Sequence, residues 1–123
     1  MTRKKILVVD DDEAVLDYLQ AKIGARYDVV STNAAQNVTA LAREQRPDLI
    51  LCDVDMPDMD GGDVSAALFG DAELRHIPLL FLTALASAQD LHRLQGQIGG
   101  RPAISKGAPL EELVTRIEAL IAG

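Results

Sequence analysis

The sequence predicts an α/β fold with a doubly wound parallel sheet, formed by five β-strand–α-helix units in succession. Short runs rich in branched apolar residues alternate with longer segments of helical period, and the strongest runs are apolar on both faces, as strands covered by helices on two sides must be. No linker, low-complexity stretch or internal repeat breaks the alternation. The 123 residues, 48% of them apolar, suit one domain over residues 1–123 with a real core.

The elements follow in order. Residues 4–9 form a first strand, Ile6-Leu7-Val8-Val9 running straight into Asp10-Asp11-Asp12. Residues 12–23 place Val15, Leu16, Leu19 and Ile23 on one helical stripe, with Asp12 as N-cap, Glu13 favouring the helix dipole and Gly24 as a stop. A weaker strand, 27–31, precedes a helix over 33–45 striped by Val38 and Leu41 and ended before Pro47. The third strand, 48–53, is followed by turn residues including Asp58 and Asp60, glycines at 61 and 62 that serve backbone geometry, and a helix over 62–69. Strand 77–83 and helix 87–96 come next, then a weaker strand, 102–105. The last helix, 109–122, is the clearest: Leu110, Leu113, Val114, Ile117, Leu120 and Ile121 share one face, and Pro109 suits a first turn.

Composition narrows the function. A net charge of −7 argues against a basic nucleic-acid-binding surface, so no direct nucleic-acid partner is expected. Aromatic residues are few and tryptophan is absent, which disfavours stacking platforms. One cysteine, Cys52, allows no intramolecular disulfide or cysteine zinc cluster, and its place in a buried strand reads as inert core. Arg3-Lys4-Lys5 precedes an apolar run too short for a signal peptide or a membrane span, so no membrane insertion and a cytoplasmic location are expected. His76 and His92 lack spaced partners and read as surface residues.

In an open parallel sheet, ligands bind beyond the carboxyl ends of the strands. Those ends carry Asp10-Asp11, Asp53, Thr83 and Lys106. Two carboxylates about 4 Å apart repel by roughly 4 kcal/mol at an effective dielectric near 20, so the cluster calls for positive charge. A hard cation with oxygen ligands fits, and magnesium leaves coordination positions open for phosphate oxygens. Thr83 and Lys106 can hold further phosphate oxygens. Each residue also has an ordinary reading: a solvated strand end, a strand threonine, a surface lysine.

Taken together, VVDDD (8–12), LILCDVDMPDMDG (49–61), PLLFLTA (78–84) and Ser105-Lys106 resemble the receiver domain of two-component response regulators, in order and spacing over nearly the whole chain. The resemblance implies a flavodoxin-like fold with strand order 2-1-3-4-5. It implies that Asp53 accepts a phosphoryl group from a sensor histidine kinase or histidine phosphotransfer protein in a phosphorelay. Mg2+ would be bound directly by Asp11 and Asp53, mainly through water by Asp10, and by the backbone carbonyl of Asp55. Thr83 would bond a phosphoryl oxygen and Lys106 would pair with the phosphoryl group. Enzymatic activity would be limited to self-phosphotransfer and self-dephosphorylation, and the response would reach an output domain or partner protein.

Two positions depart from the family. Gly107 stands where proline commonly follows the lysine, with the first proline beyond it at Pro109; a non-proline cis bond costs about 2.5–4 kcal/mol, so this loop is expected to be trans or differently shaped. Ala103 stands where an aromatic residue usually links the site to the output face, so the response is expected in residues 83–90. Two other functions compete. A haloacid-dehalogenase-like phosphatase also uses an aspartate nucleophile in a DxD, as in Asp53-Val54-Asp55, but there the acidic pair comes last, whereas Asp10-Asp11 lead here. A pseudo-receiver interaction module would no longer take phosphate.

Overall fold

A strand such as Leu49–Asp53, buried at every position, needs a layer on each side of it, and the fold supplies both. The structure, a computed structural model, describes residues 3–54, 61–84, 97–98 and 101–123. Its elements are β1 (Lys5–Val9), α1 (Glu13–Ile23), β2 (Asp28–Thr32), a 3-10 turn (Ala35–Asn37), α2 (Val38–Gln45), β3 (Leu49–Asp53), α3 (Gly61–Phe69), β4 (Leu79–Thr83), β5 (Gln97–Ile98), β6 (Arg101–Ser105) and α4 (Leu110–Ala122). The predicted helix over 87–96 lies outside the described residues.

Five parallel strands run in the order β2-β1-β3-β4-β6, which is the predicted 2-1-3-4-5 order with β6 as the fifth. The unanticipated element is β5, two residues paired antiparallel with β6 through Gln97↔Pro102 and Ile98↔Arg101. It is too short to show a strand period, but two glycines separate the paired segments in sequence, a composition suited to a tight hairpin.

Alternation along the strands sorts the core into two layers. Ile6 and Val8, Leu49 and Leu51, Leu80 and Leu82, and Ile104 pack with Leu16, Leu19 and Ile23 of α1 and Leu113 and Ile117 of α4. Leu7 and Val9, Ile50 and Cys52, Leu79 and Phe81, and Ala103 pack with Val38 and Ala42 of α2 and Val64 and Leu68 of α3. Each fully buried leucine or isoleucine contributes ~1.5–3 kcal/mol. Asp48 sets the register between β1 and β3: its carboxylate accepts the Lys5 N–H (2.8 Å) and its own N–H donates to the Lys5 carbonyl (2.8 Å).

Helix boundaries follow local chemistry. Asp12 caps α1, its Oδ1 accepting the Ala14 N–H at 2.9 Å, as the sequence predicts. Gly24 ends α1 in a right-handed conformation; glycine is needed because an added Cβ would collide with the Gln20 carbonyl. Helix α2 starts later than predicted because Ala34 is still extended and a 3-10 turn intervenes, and it ends with Arg46 left-handed (φ 49°).

Ala103 is fully buried and faces Phe81 across the β4–β6 ladder. The bulk in this part of the layer therefore comes from β4. Ala103→Phe should overpack it and cost ~1–3 kcal/mol. Combining it with Phe81→Ala should destabilise by clearly less than the sum of the two single changes. Urea unfolding of the two single variants and the double variant checks this, and strict additivity would mean the side chains do not share the space.

Candidate functional site

Backbone bonds carry the sheet to the site at each strand end. The Asp10 N–H donates to the Thr32 carbonyl (3.2 Å), the Val54 N–H to the Leu82 carbonyl (3.1 Å) and the Lys106 N–H to the Thr83 carbonyl (2.8 Å). Side-chain alternation then aims the residues. Asp10 continues the Ile6-Val8 face of β1, Asp53 the Leu49-Leu51 face of β3, and Lys106 follows Ile104, so all three belong to the α1/α4 side of the sheet. Thr83 continues the Leu79-Phe81 face, on the other side.

The result is a convergent acidic cluster. Carboxylate oxygens of Asp10, Asp11 and Asp53 lie within 4.8 Å of one another. Asp10 is fully buried and Asp53 is 4% exposed, whereas Asp11 is exposed. The Lys106 Nζ bridges the two buried members, 2.9 Å from Asp10 Oδ2 and 3.3 Å from Asp53 Oδ1. Asp10 Oδ1 accepts the Asp12 N–H at 2.9 Å. Asp10 Oδ2 faces the Lys106 ammonium, so the buried carboxylate is held between the Asp12 N–H and the lysine. Burial works against the lysine's charge, but the Asp10 and Asp53 carboxylates outweigh it and hold the ammonium pKa above the ordinary lysine value. Cys52, next to Asp53, is pushed up to about 12 by burial and the nearby carboxylates and stays an inert thiol.

An exposed carboxylate and two buried ones suit a hard divalent cation. Three carboxylates and one ammonium leave two negative charges. The sequence-predicted residues Asp10, Asp11, Asp53 and Lys106 thus come together. Thr83 is buried at the end of β4, its carbonyl holding the Lys106 backbone. Asp55 lies outside the described residues. Sequence reading missed two hydrogen bonds: Asp12 N–H to Asp10, and Gly107 N–H to Ser105 Oγ (3.1 Å). Both follow the i to i+2 pattern of Asx and Ser/Thr turns, a signal present in the sequence. The loop around Gly107 is trans, as expected.

A doubly wound sheet with three acidic groups and a lysine at its carboxyl edge is the arrangement that the resemblance to receiver domains implies. The chain belongs to the response regulator receiver domain family of two-component signalling, matching it over residues 6–118. It is 34% identical to the polar-differentiation response regulator DivK of Brucella anthropi over 119 residues, 96% of each protein. It is 49% identical over 98 residues to the response regulator PleD of Caulobacter vibrioides, a match that takes in 78% of this chain and 21% of PleD. In fold it is similar to the receiver domain of the sensor histidine kinase PA1611 from Pseudomonas aeruginosa PAO1, whose structure has a magnesium ion coordinated in the active-site cleft (TM-score 0.83, 24% identity, 99% of this chain and 100% of that one). No helix among the described residues is long and apolar enough to cross a membrane.

Lys106→Met would leave Asp10 and Asp53 facing each other without the ammonium. In metal-free buffer it should cost ~1–3 kcal/mol, less than a wholly buried pair because the lysine is partly exposed. A folded-state pKa raised above the unfolded one gives stability that is complete below the ordinary value of 10.5 and is lost as pH rises through the raised value. Urea unfolding of wild type and variant should therefore show a gap at neutral pH that narrows as pH rises into the strongly alkaline range. No gap at neutral pH would show that the ammonium of Lys106 does not stabilise the cluster.

Proposed function

We propose that this chain is a phosphorylatable receiver, with Asp53 accepting a phosphoryl group from a phosphohistidine on a sensor histidine kinase or histidine phosphotransfer protein. The observation that carries this reading is the Lys106 ammonium bridging Asp10 and Asp53 within a cluster of three carboxylates. An Asp53 carboxylate oxygen attacks phosphorus and forms the new P–O bond. The P–N bond breaks, and its electron pair returns to the partner's imidazole. Carboxylate is a weak nucleophile toward a phosphoryl group, so the gain comes from in-line positioning and charge compensation. Lys106, already beside Asp53 Oδ1, pairs with the incoming phosphoryl oxygens, and the Thr83 hydroxyl bonds one of them. Asp11 and Asp53 would hold magnesium directly, Asp10 mainly through water and Asp55 by its carbonyl. When bound, the ion offsets the negative charge that otherwise repels phosphate.

The receiver is not a conventional enzyme: it turns over its own acyl phosphate, and free phosphate monoesters are poor substrates. Its setting is the cytoplasm, and its response passes to an output domain or a partner protein.

Acetyl phosphate with Mg2+ should add one phosphoryl group by intact mass, and Asp53→Asn should take none. Equal labelling of Asp53→Asn would remove Asp53 as acceptor, and an unlabelled wild type would favour the pseudo-receiver. Magnesium-dependent turnover of small phosphate monoesters, abolished by Asp53→Asn, would favour the phosphatase.

In a magnesium titration, Asp11→Asn should lose more affinity than Asp10→Asn. Asp12→Asn should lose little, because asparagine still caps α1. Greatest loss in Asp12→Asn would overturn the ligand assignment.

A further inference from the structure

Lys106 supplies positive charge to the cluster, yet the residue after it, Gly107, restricts the backbone least of all. Three hydrogen bonds hold the loop on either side of Lys106. Its own N–H donates to the Thr83 carbonyl (2.8 Å), and the Ala108 N–H donates to the Ser105 carbonyl (3.0 Å). These two are main-chain bonds, open to any residue at 105. The third, from the Gly107 N–H to Ser105 Oγ (3.1 Å), exists because position 105 carries a hydroxyl. Packing does not replace it: Gly107 is exposed, and a Cβ built there would meet Ser105 Oγ alone, at an ordinary 3.7 Å.

We propose that Ser105 is a positioning residue for Lys106. Its hydroxyl fixes the peptide plane between Lys106 and Gly107, and with it the ψ angle that roots the lysine side chain. A lysine stem has four flexible carbons and loses much freedom on pairing. A fixed root keeps its ammonium within reach of both Asp10 and Asp53. The kinetic consequence rests on Lys106 pairing with the phosphoryl group; the coupling of Ser105 to Lys106 does not.

Two measurements on the full chain test this with Ser105→Ala, Ser105→Thr, Lys106→Met and the double variant Ser105→Ala/Lys106→Met. The first is the initial rate of labelling by acetyl phosphate at saturating Mg2+. Ser105→Ala should slow it by about tenfold, in keeping with the cost of small misplacements near reacting groups, and Ser105→Thr should restore most of the rate. Labelling of Ser105→Ala at the wild-type rate overturns the kinetic role. The second is the urea midpoint without phosphate or metal. Ser105→Ala should lower the midpoint less in the Lys106→Met background than alone, because part of its loss is the lysine's pairing. Strict additivity would make the hydroxyl a local turn bond and overturn the proposal. If wild type takes no phosphoryl group, the phosphoacceptor reading fails, while the urea comparison still decides the role of Ser105.

Discussion

The ammonium of Lys106 lies between a fully buried carboxylate and a nearly buried one, and the arrangement of the strand ends depends on that contact. Without it, carboxylates this close would repel one another, and the cluster would come apart. The sheet order makes lysine the suitable residue. Asp10 and Asp53 come from neighbouring strands, but β6 lies two strands from β3, roughly 10 Å at ordinary strand spacing. A long, flexible stem can cross β4 and deliver a compact charge. The carboxylates outweigh the effect of burial on the lysine, so that charge is present at neutral pH.

This arrangement offsets part of the site's negative charge and leaves the rest. Asp10 Oδ2 is held by the Lys106 ammonium, and Asp11 stands exposed at the rim. Two negative charges remain after the lysine is counted, which matches a divalent cation. A site completed by added groups differs from a structural ion pair, which is usually closed by hydrogen bonds on every lone pair. The distinction supports reading the cluster as a place where charge arrives and leaves.

Much of this was legible in the sequence because it depends on period and position. Strands buried on both faces announce themselves as unbroken apolar runs, and residues ending parallel strands must gather at one edge. Asp10, Asp11, Asp53 and Lys106 were found that way, and the N-cap role of Asp12 follows from its place before the α1 stripe. The less legible features are short or local. The two residues of β5 are below any periodic signal. The late start of α2 depends on one extended alanine. The Ser105 hydrogen bond has a Ser/Thr-turn signal in the sequence, but whether it forms depends on the hydroxyl's rotamer. The positive φ of Arg46 was hidden because the residue before proline is ordinarily extended.

The two faces of the sheet give the site two separate connections to the rest of the fold. Asp10, Asp53 and Lys106 extend strand positions that pack against α1 and α4. Thr83 extends the positions that pack toward α2 and α3. A change in the charge cluster therefore bears first on the α1/α4 layer, through the root of Lys106 and the start of α4. A change at Thr83 bears on the other layer, where Phe81 lies two residues back on the same face. Phe81 is nearly buried, and its neighbour across the ladder is Ala103, which has no rotamer to change.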